Sequence, residues 1–196
     1  MIEQIEIYAK EHNIPIMLPD GIDYLCQYIK DKSIKNILEI GTAIGYSAIR
    51  MALVSDDIFI TTIERDEERY QEAILNIKKF HLENRIRVIL GDASSVIVDG
   101  NFDLIFIDAS KGHNIEFFNK YKGNLAVDGS IVTDNLSFHG LVEDESLVVT
   151  KNQRGIVKKI KAYIDFLDHN DEFSTIYVDV GDRISISRRV CFEKIS

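Results

Sequence analysis

A chain of 196 residues, 45% hydrophobic and 28% charged, has globular composition and roughly the length of one ordinary domain. Its longest apolar runs, residues 51–54 and 104–107, fall far short of the roughly 20 that a membrane-spanning helix needs. Thirty-two acidic against 23 basic residues give a formal charge of −9, a field that as a whole repels polyanions and argues against nucleic acid as a partner.

The start, MIEQIEIYAKEH, is acidic and amphipathic and lacks the basic start and apolar stretch of a signal peptide. Two cysteines, Cys26 and Cys191, form neither a disulfide framework nor a metal knuckle. The expectation is one cytoplasmic domain over residues 1–196, with no membrane contact.

Helical spacing of Ile2, Ile5 and Tyr8 or Ala9 predicts a first helix over residues 2–11, and Ile22, Leu25 and Ile29 a second over 21–30. From there short runs rich in Ile and Val, at 36–40, 58–63, 86–90, 102–107 and 130–133, alternate with helical patterns. Continuously apolar strands of this kind are buried on both faces of a parallel sheet. Among the helices, 66–80 carries Tyr70, Ala73, Ile74 and Ile77 on one stripe, and 153–167 carries Val157, Ile160, Ile164 and Leu167. The chain closes on two strands, 173–180 and 183–189, around Gly181-Asp182, a hairpin signal. The pattern is that of a doubly wound α/β sheet ending in an antiparallel pair.

Such sheets bind ligands at the carboxyl ends of their strands. After the first strand, Gly41 and Gly45 frame a turn into a helix over 46–53, spaced G-x-x-x-G rather than as in a dinucleotide fold. Glu39 just before the loop suits a ligand with a cationic centre. Glu64 ends the second strand, placed to accept two ribose hydroxyls. Gly91-Asp92-Ala93 follows the third and could set a carboxylate against an adenine amino group. Asp108 ends the fourth, with Lys111 three residues on, and Asp134-Asn135 ends the fifth. Taken singly, each acid also reads as a helix cap or a turn. Together, three oxygen ligands without His or Cys suit a hard cation such as Mg²⁺ better than zinc.

The segments ILEIGTAIGYSA, TTIERD, GDAS, FIDASKG and TDNL, in this order and spacing, resemble the metal-dependent, S-adenosylmethionine-using O-methyltransferases of the catechol type. The resemblance spans essentially the whole chain. It implies a Rossmann-like class I methyltransferase fold, a mostly parallel seven-stranded sheet with an antiparallel C-terminal strand, and a homodimer. Carried over by position, Met17, Ser47, Glu64, Asp92, Ala93 and Asp108 contact the methyl donor, and Glu39 and Gly41 shape its pocket. Asp108, Asp134 and Asn135 hold Mg²⁺, and Lys111 is the general base. Asn114 stands where relatives often carry Tyr.

Within the family, EHNIPIM and TDNLSFHGLV are most similar to the bacterial tRNA 5-hydroxyuridine methyltransferases. The implied reaction converts 5-hydroxyuridine at the wobble position of the tRNA anticodon loop to 5-methoxyuridine. The alternative is methylation of a small catechol-like molecule. A 5-hydroxyuracil offers O5 beside O4 much as a catechol offers two hydroxyls. The −9 charge is unevenly spread: Lys151, Arg154, Lys158, Lys159 and Lys161 occur with no acid between them, and Arg183, Arg188 and Arg189 lie in the hairpin. A small tRNA contact therefore remains open, alongside the reading of a merely solvated basic helix face. His113 and His139 flank the expected cation site, placed to touch substrate or, as loop histidines, to be satisfied by solvent, and Cys26 reads as a small core residue.

Overall fold

The computed structural model describes residues 1–109 and 112–190. Two helices open the chain, α1 (Ile2–Glu11) and α2 (Pro19–Asp31). There follow β1 (Asn36–Ile40), α3 (Tyr46–Ala52), β2 (Phe59–Glu64), α4 (Glu67–Lys79), β3 (Ile86–Leu90) and β4 (Phe102–Ile107). The remainder is α5 (Asn114–Tyr121), β5 (Leu125–Thr133), α6 (Lys151–Asp168), β6 (Phe173–Val178) and β7 (Ile184–Arg189). All strands join one seven-stranded sheet in the order β3-β2-β1-β4-β5-β7-β6. It is parallel except at β7, which pairs antiparallel with both β5 and β6.

The expected strands lie buried on both faces because residues alternate between two cores. Ile37, Leu104, Phe106 and Ile184 pack with Ile5, Leu25, Ile29 and Ile49 of α1, α2 and α3. Leu38, Ile105, Ile107 and Ile131 pack on the other face with Phe117 and Phe118 of α5 and Ile160 and Tyr163 of α6. At roughly 25 cal/mol per Å² of apolar surface, these two layers supply the main driving force for the fold. Among the described residues no helix is long and apolar enough to cross a membrane.

Several boundaries and faces differ from expectation for identifiable reasons. Helix α2 starts at Pro19, whose fixed φ and missing N–H suit a first helical turn. Helix α6 begins at Lys151 because Thr150 and Gln153 form a capping box. Strand β5 extends back to Leu125, and β6 ends at Val178, where the chain enters the turn before β7. On α4, Ile74 faces outward at 36% exposure while Asn76 is buried, its amide donating to the Ile44 carbonyl at 3.0 Å. On α6, Tyr163 rather than Ile164 is fully buried, its hydroxyl 2.8 Å from Thr133 Oγ1. Both faces of β7 are covered: Ser185 and Ser187 are as buried as Ile184 and Ile186, and the strand lies inside the sheet between β5 and β6.

Strand order reverses at β1. The crossover from β1 through α3 leads to β2 on one side, while β4 lies on the other. The carboxyl ends of β1 and β4 therefore open a crevice, as expected at a topological switch point.

Candidate active site

The loop after β1 is shaped by backbone that few side chains tolerate. Gly41 has φ +102°, and a Cβ there would sit 2.6 Å from the Asp108 carbonyl oxygen. Gly45 caps α3 at φ +85°, and Ala43 between them is also left-handed at φ 46°. This tight turn lets the loop press against the end of β4 and leaves space above it.

Glu39 lies beneath that space, fully buried, with a hydroxyl on each carboxylate oxygen: Ser47 Oγ donates to Oε1 and Thr62 Oγ1 to Oε2, both at 2.5 Å. Burial pushes its pKa up to about 7; the two hydroxyls pull it down, and burial wins. Glu64 braces the neighbouring loops. Its Oε2 accepts from the Ala43 N–H at 2.8 Å and its Oε1 from the Asp66 N–H at 2.9 Å. Asp92 takes the Ser94 hydroxyl and, at 2.8 Å, the Ser94 N–H, which hold its carboxyl below the usual carboxylate range. The Ala93 carbonyl accepts from the Tyr121 hydroxyl at 2.7 Å, pinning this loop to α5.

These strand ends enclose a cavity of about 480 Å³. Of the residues expected at the donor, Met17, Gly41, Ser47, Glu64, Asp92, Ala93 and Asp108 line it, and Glu39 supports it from below. Met17 lines the cavity and is also packed in the core. At the cavity's far side Asn135, left-handed at φ 67°, brings two strand ends together. Its Nδ2 donates to Asp108 Oδ1 at 2.9 Å and to Asp134 Oδ2 at 3.1 Å. Because the N and O of a carboxamide exchange by a flip about its terminal torsion, all three side chains of this cluster can offer an oxygen. That donor set suits a hard divalent cation.

Lys111, the expected base, lies outside the described residues, as does Cys191. Asn114 is buried in the first turn of α5 and does not line the cavity. His113 and His139, read either as substrate contacts or as solvent-satisfied loop residues, are both exposed and line the cavity together with Phe117, Arg65 and Tyr46. His139 sits at the mouth, its side chain 68% exposed. The motif at the end of β4 points to the neighbourhood of His113, but no local pattern marks Phe117 or Arg65. Cys26 is half-buried, and burial raises its thiol pKa to about 11, as befits a packing residue rather than a nucleophile.

A family model described as O-methyltransferase matches residues 2–190. A caffeoyl-CoA O-methyltransferase of Stellaria longipes is 30% identical over 168 residues, covering 80% of this chain and 68% of that protein. A flavonoid 3',5'-methyltransferase of Vitis vinifera is 27% identical over 189 residues, covering 91% and 79%. Among solved structures, a Staphylococcus aureus protein provisionally named a caffeoyl-CoA O-methyltransferase matches with a TM-score of 0.92 at 38% identity, over 96% of this chain and 92% of that one. An O-methyltransferase from Bacillus cereus in complex with SAH matches at 0.81 and 25% identity, over 96% and 90%.

Proposed function

The chain belongs to the O-methyltransferase family, and we propose that it transfers the methyl group of S-adenosylmethionine to one of two adjacent oxygens on an acceptor, with Mg²⁺ held by Asp108, Asp134 and Asn135. The observation that carries this reading is the shared position of Asp108. It lines the cavity and also accepts from the Asn135 amide that reaches Asp134. Donor pocket and cation site thus meet at one side chain, as transfer between two bound partners requires.

On the donor side, Glu64 receives the ribose hydroxyls. Asp92 and Ala93 face the adenine, and Ser47, oriented by Glu39, and Met17 border the methionine end. The Bacillus cereus relative's complex with SAH supports this use of the cavity. On the acceptor side, bound Mg²⁺ supplies a Lewis acid that lowers the pKa of the acceptor hydroxyl. Lys111 takes the hydroxyl proton as the O–C bond forms and the S–C bond breaks, leaving S-adenosylhomocysteine. The cavity walls exclude water and hold the sulfonium methyl in line with the acceptor oxygen.

We take the acceptor to be 5-hydroxyuridine at the wobble position of the tRNA anticodon loop, giving 5-methoxyuridine. Support comes from α6, which carries Lys151, Arg154, Lys158 and Lys159 exposed despite the overall −9 charge. The Lys159 ammonium lies against Gly112, where a Cβ would be 2.7 Å away, so this basic helix borders the segment after β4. The competing acceptor is a small catechol-like molecule, favoured by relatives named for caffeoyl-CoA and flavonoid methylation. Nucleoside mass spectrometry separates the two. Incubating tRNA that contains 5-hydroxyuridine with enzyme, S-adenosylmethionine and Mg²⁺ should yield 5-methoxyuridine. Unchanged tRNA beside rapid turnover of a catechol would transfer the assignment to the small molecule.

A further inference from the structure

The turn between β6 and β7 contributes nothing to the cavity wall, yet it is tied to both sides of the site. On the donor side, the Gly181 N–H donates to Asp20 Oδ2 at 3.1 Å. The same glycine, at φ +57°, approaches so closely that a Cβ on it would be 3.1 Å from Gly21 Cα. A Cβ on Gly21 would in turn lie 3.2 Å from the Met17 side chain, and Met17 lines the donor cavity.

On the acceptor side, the turn grips the segment after β5. The Leu136 N–H donates to the Arg183 carbonyl at 3.0 Å and the Ser137 N–H to the Asp182 carbonyl at 2.9 Å. The buried Asp182 carboxylate, 4% exposed, accepts from the His139 N–H at 2.6 Å. Arg183 reaches Glu143 at 3.3 Å, and Glu143 accepts from the Ser137 hydroxyl at 2.8 Å.

The segment so held is costly in conformation. Asn135, Phe138 and His139 are all left-handed, at φ 67°, 50° and 57°, with Gly140 following at 83°. Non-glycine residues in this region persist where surrounding contacts over-determine them, and such strain gathers at functional sites. Two backbone bonds fix Leu136 and Ser137 to the turn. Beyond them the Gly140 N–H donates to Ser137 Oγ at 2.9 Å within the segment, while His139 is tied to the β6–β7 turn by a side chain, that of Asp182.

We propose that Asp182 is a positioning residue. By holding the His139 amide it keeps Phe138, His139 and Gly140 in the left-handed conformation that sets His139 at the mouth of the cavity bordered by the cluster of Asp108, Asp134 and Asn135. The inference rests on the reading of that cluster as the acceptor side of methyl transfer, but its direct readout does not.

The test measures amide hydrogen exchange by NMR together with steady-state kinetics. In Asp182→Ala, exchange at His139 should rise about tenfold, the expected effect of losing one bond to a buried carboxylate. Amides of β4 should keep their wild-type rates. Turnover should fall about tenfold while the KM for S-adenosylmethionine stays within about twofold, a split that general loosening of the fold would not produce. Asp182→Asn retains an acceptor oxygen without the charge. It should keep turnover within about twofold while moving the His139 amide proton upfield. Wild-type exchange at His139 in the alanine variant, or an unmoved His139 resonance in the asparagine variant, would overturn the assignment. A wild type that methylates no acceptor counts against the functional reading, whereas the exchange and shift data decide the role of Asp182 on their own.

Discussion

At the residue scale the site turns on groups that do unlike things with the same chemistry. Asp108, Asp134 and Glu64 are carboxylates at strand ends, but Glu64 is spent largely on backbone N–H groups of two loops while the other two converge on one carboxamide. Lys111 is the group proposed to move a proton. Lys111→Ala should reduce turnover by about 10²–10⁴, the usual range for a general base, and leave S-adenosylhomocysteine affinity unchanged by calorimetry. Glu39 offers a pH test. Its folded-state pKa is raised, from 4.5 to about 7, so the folded chain holds this proton more tightly than the unfolded one. The associated stability is present in full below pH 4.5 and is lost as pH rises through about 7. Without ligand, the advantage of wild type over Glu39→Gln in thermal melting should therefore shrink between pH 5 and pH 8. A constant difference would remove titration of Glu39 from the account.

At the element scale, each strand end was readable because its chemistry is contiguous: a glycine for a tight turn, or an acid after an apolar run. Helix faces were less so. On α4, a stripe read from hydrophobicity put Ile74 inward, whereas Asn76 took the buried place because the Ile44 carbonyl offers it a partner. A buried polar group is paid for only by a bond that periodicity does not reveal. Helix α6 carries the element-scale prediction. If its exposed basic face docks tRNA phosphates, Lys158→Glu with Lys159→Glu should weaken tRNA binding and flatten its salt dependence. Donor affinity should stay at the wild-type value. Filter binding across a salt series checks this; equal affinity in both proteins would confine α6 to a structural role.

At the scale of the molecule, five strand ends, the segment before α2 and the loop after β5 are assembled around one cavity, so a ligand there ties distant parts of the chain together. Saturating S-adenosylhomocysteine at about 100 times its Kd should stabilise the fold by about 2.7 kcal/mol, seen as a rise in melting temperature. NAD should give no shift, since the first loop lacks the dinucleotide spacing. A shift with NAD alone would favour a different cofactor class. The homodimer that the family resemblance implies is a proposal, and sedimentation of the purified chain at twice the monomer mass would bear it out.

The sequence by itself determined the class of sheet, the order of its motifs and the strand-end residues that line the cavity, because turn chemistry, apolar runs and capping act over a few neighbouring positions. Thr150 and Gln153 show the same locality at a helix start. Only the tertiary structure decided that Asn135 bridges Asp108 and Asp134, that His113, His139 and Phe117 line the cavity, and that the turn holding Asp182 grips the segment after β5. These relations join residues that are far apart in the chain. Their physical basis is the partner each polar group finds once burial removes water, and no local pattern carries that information.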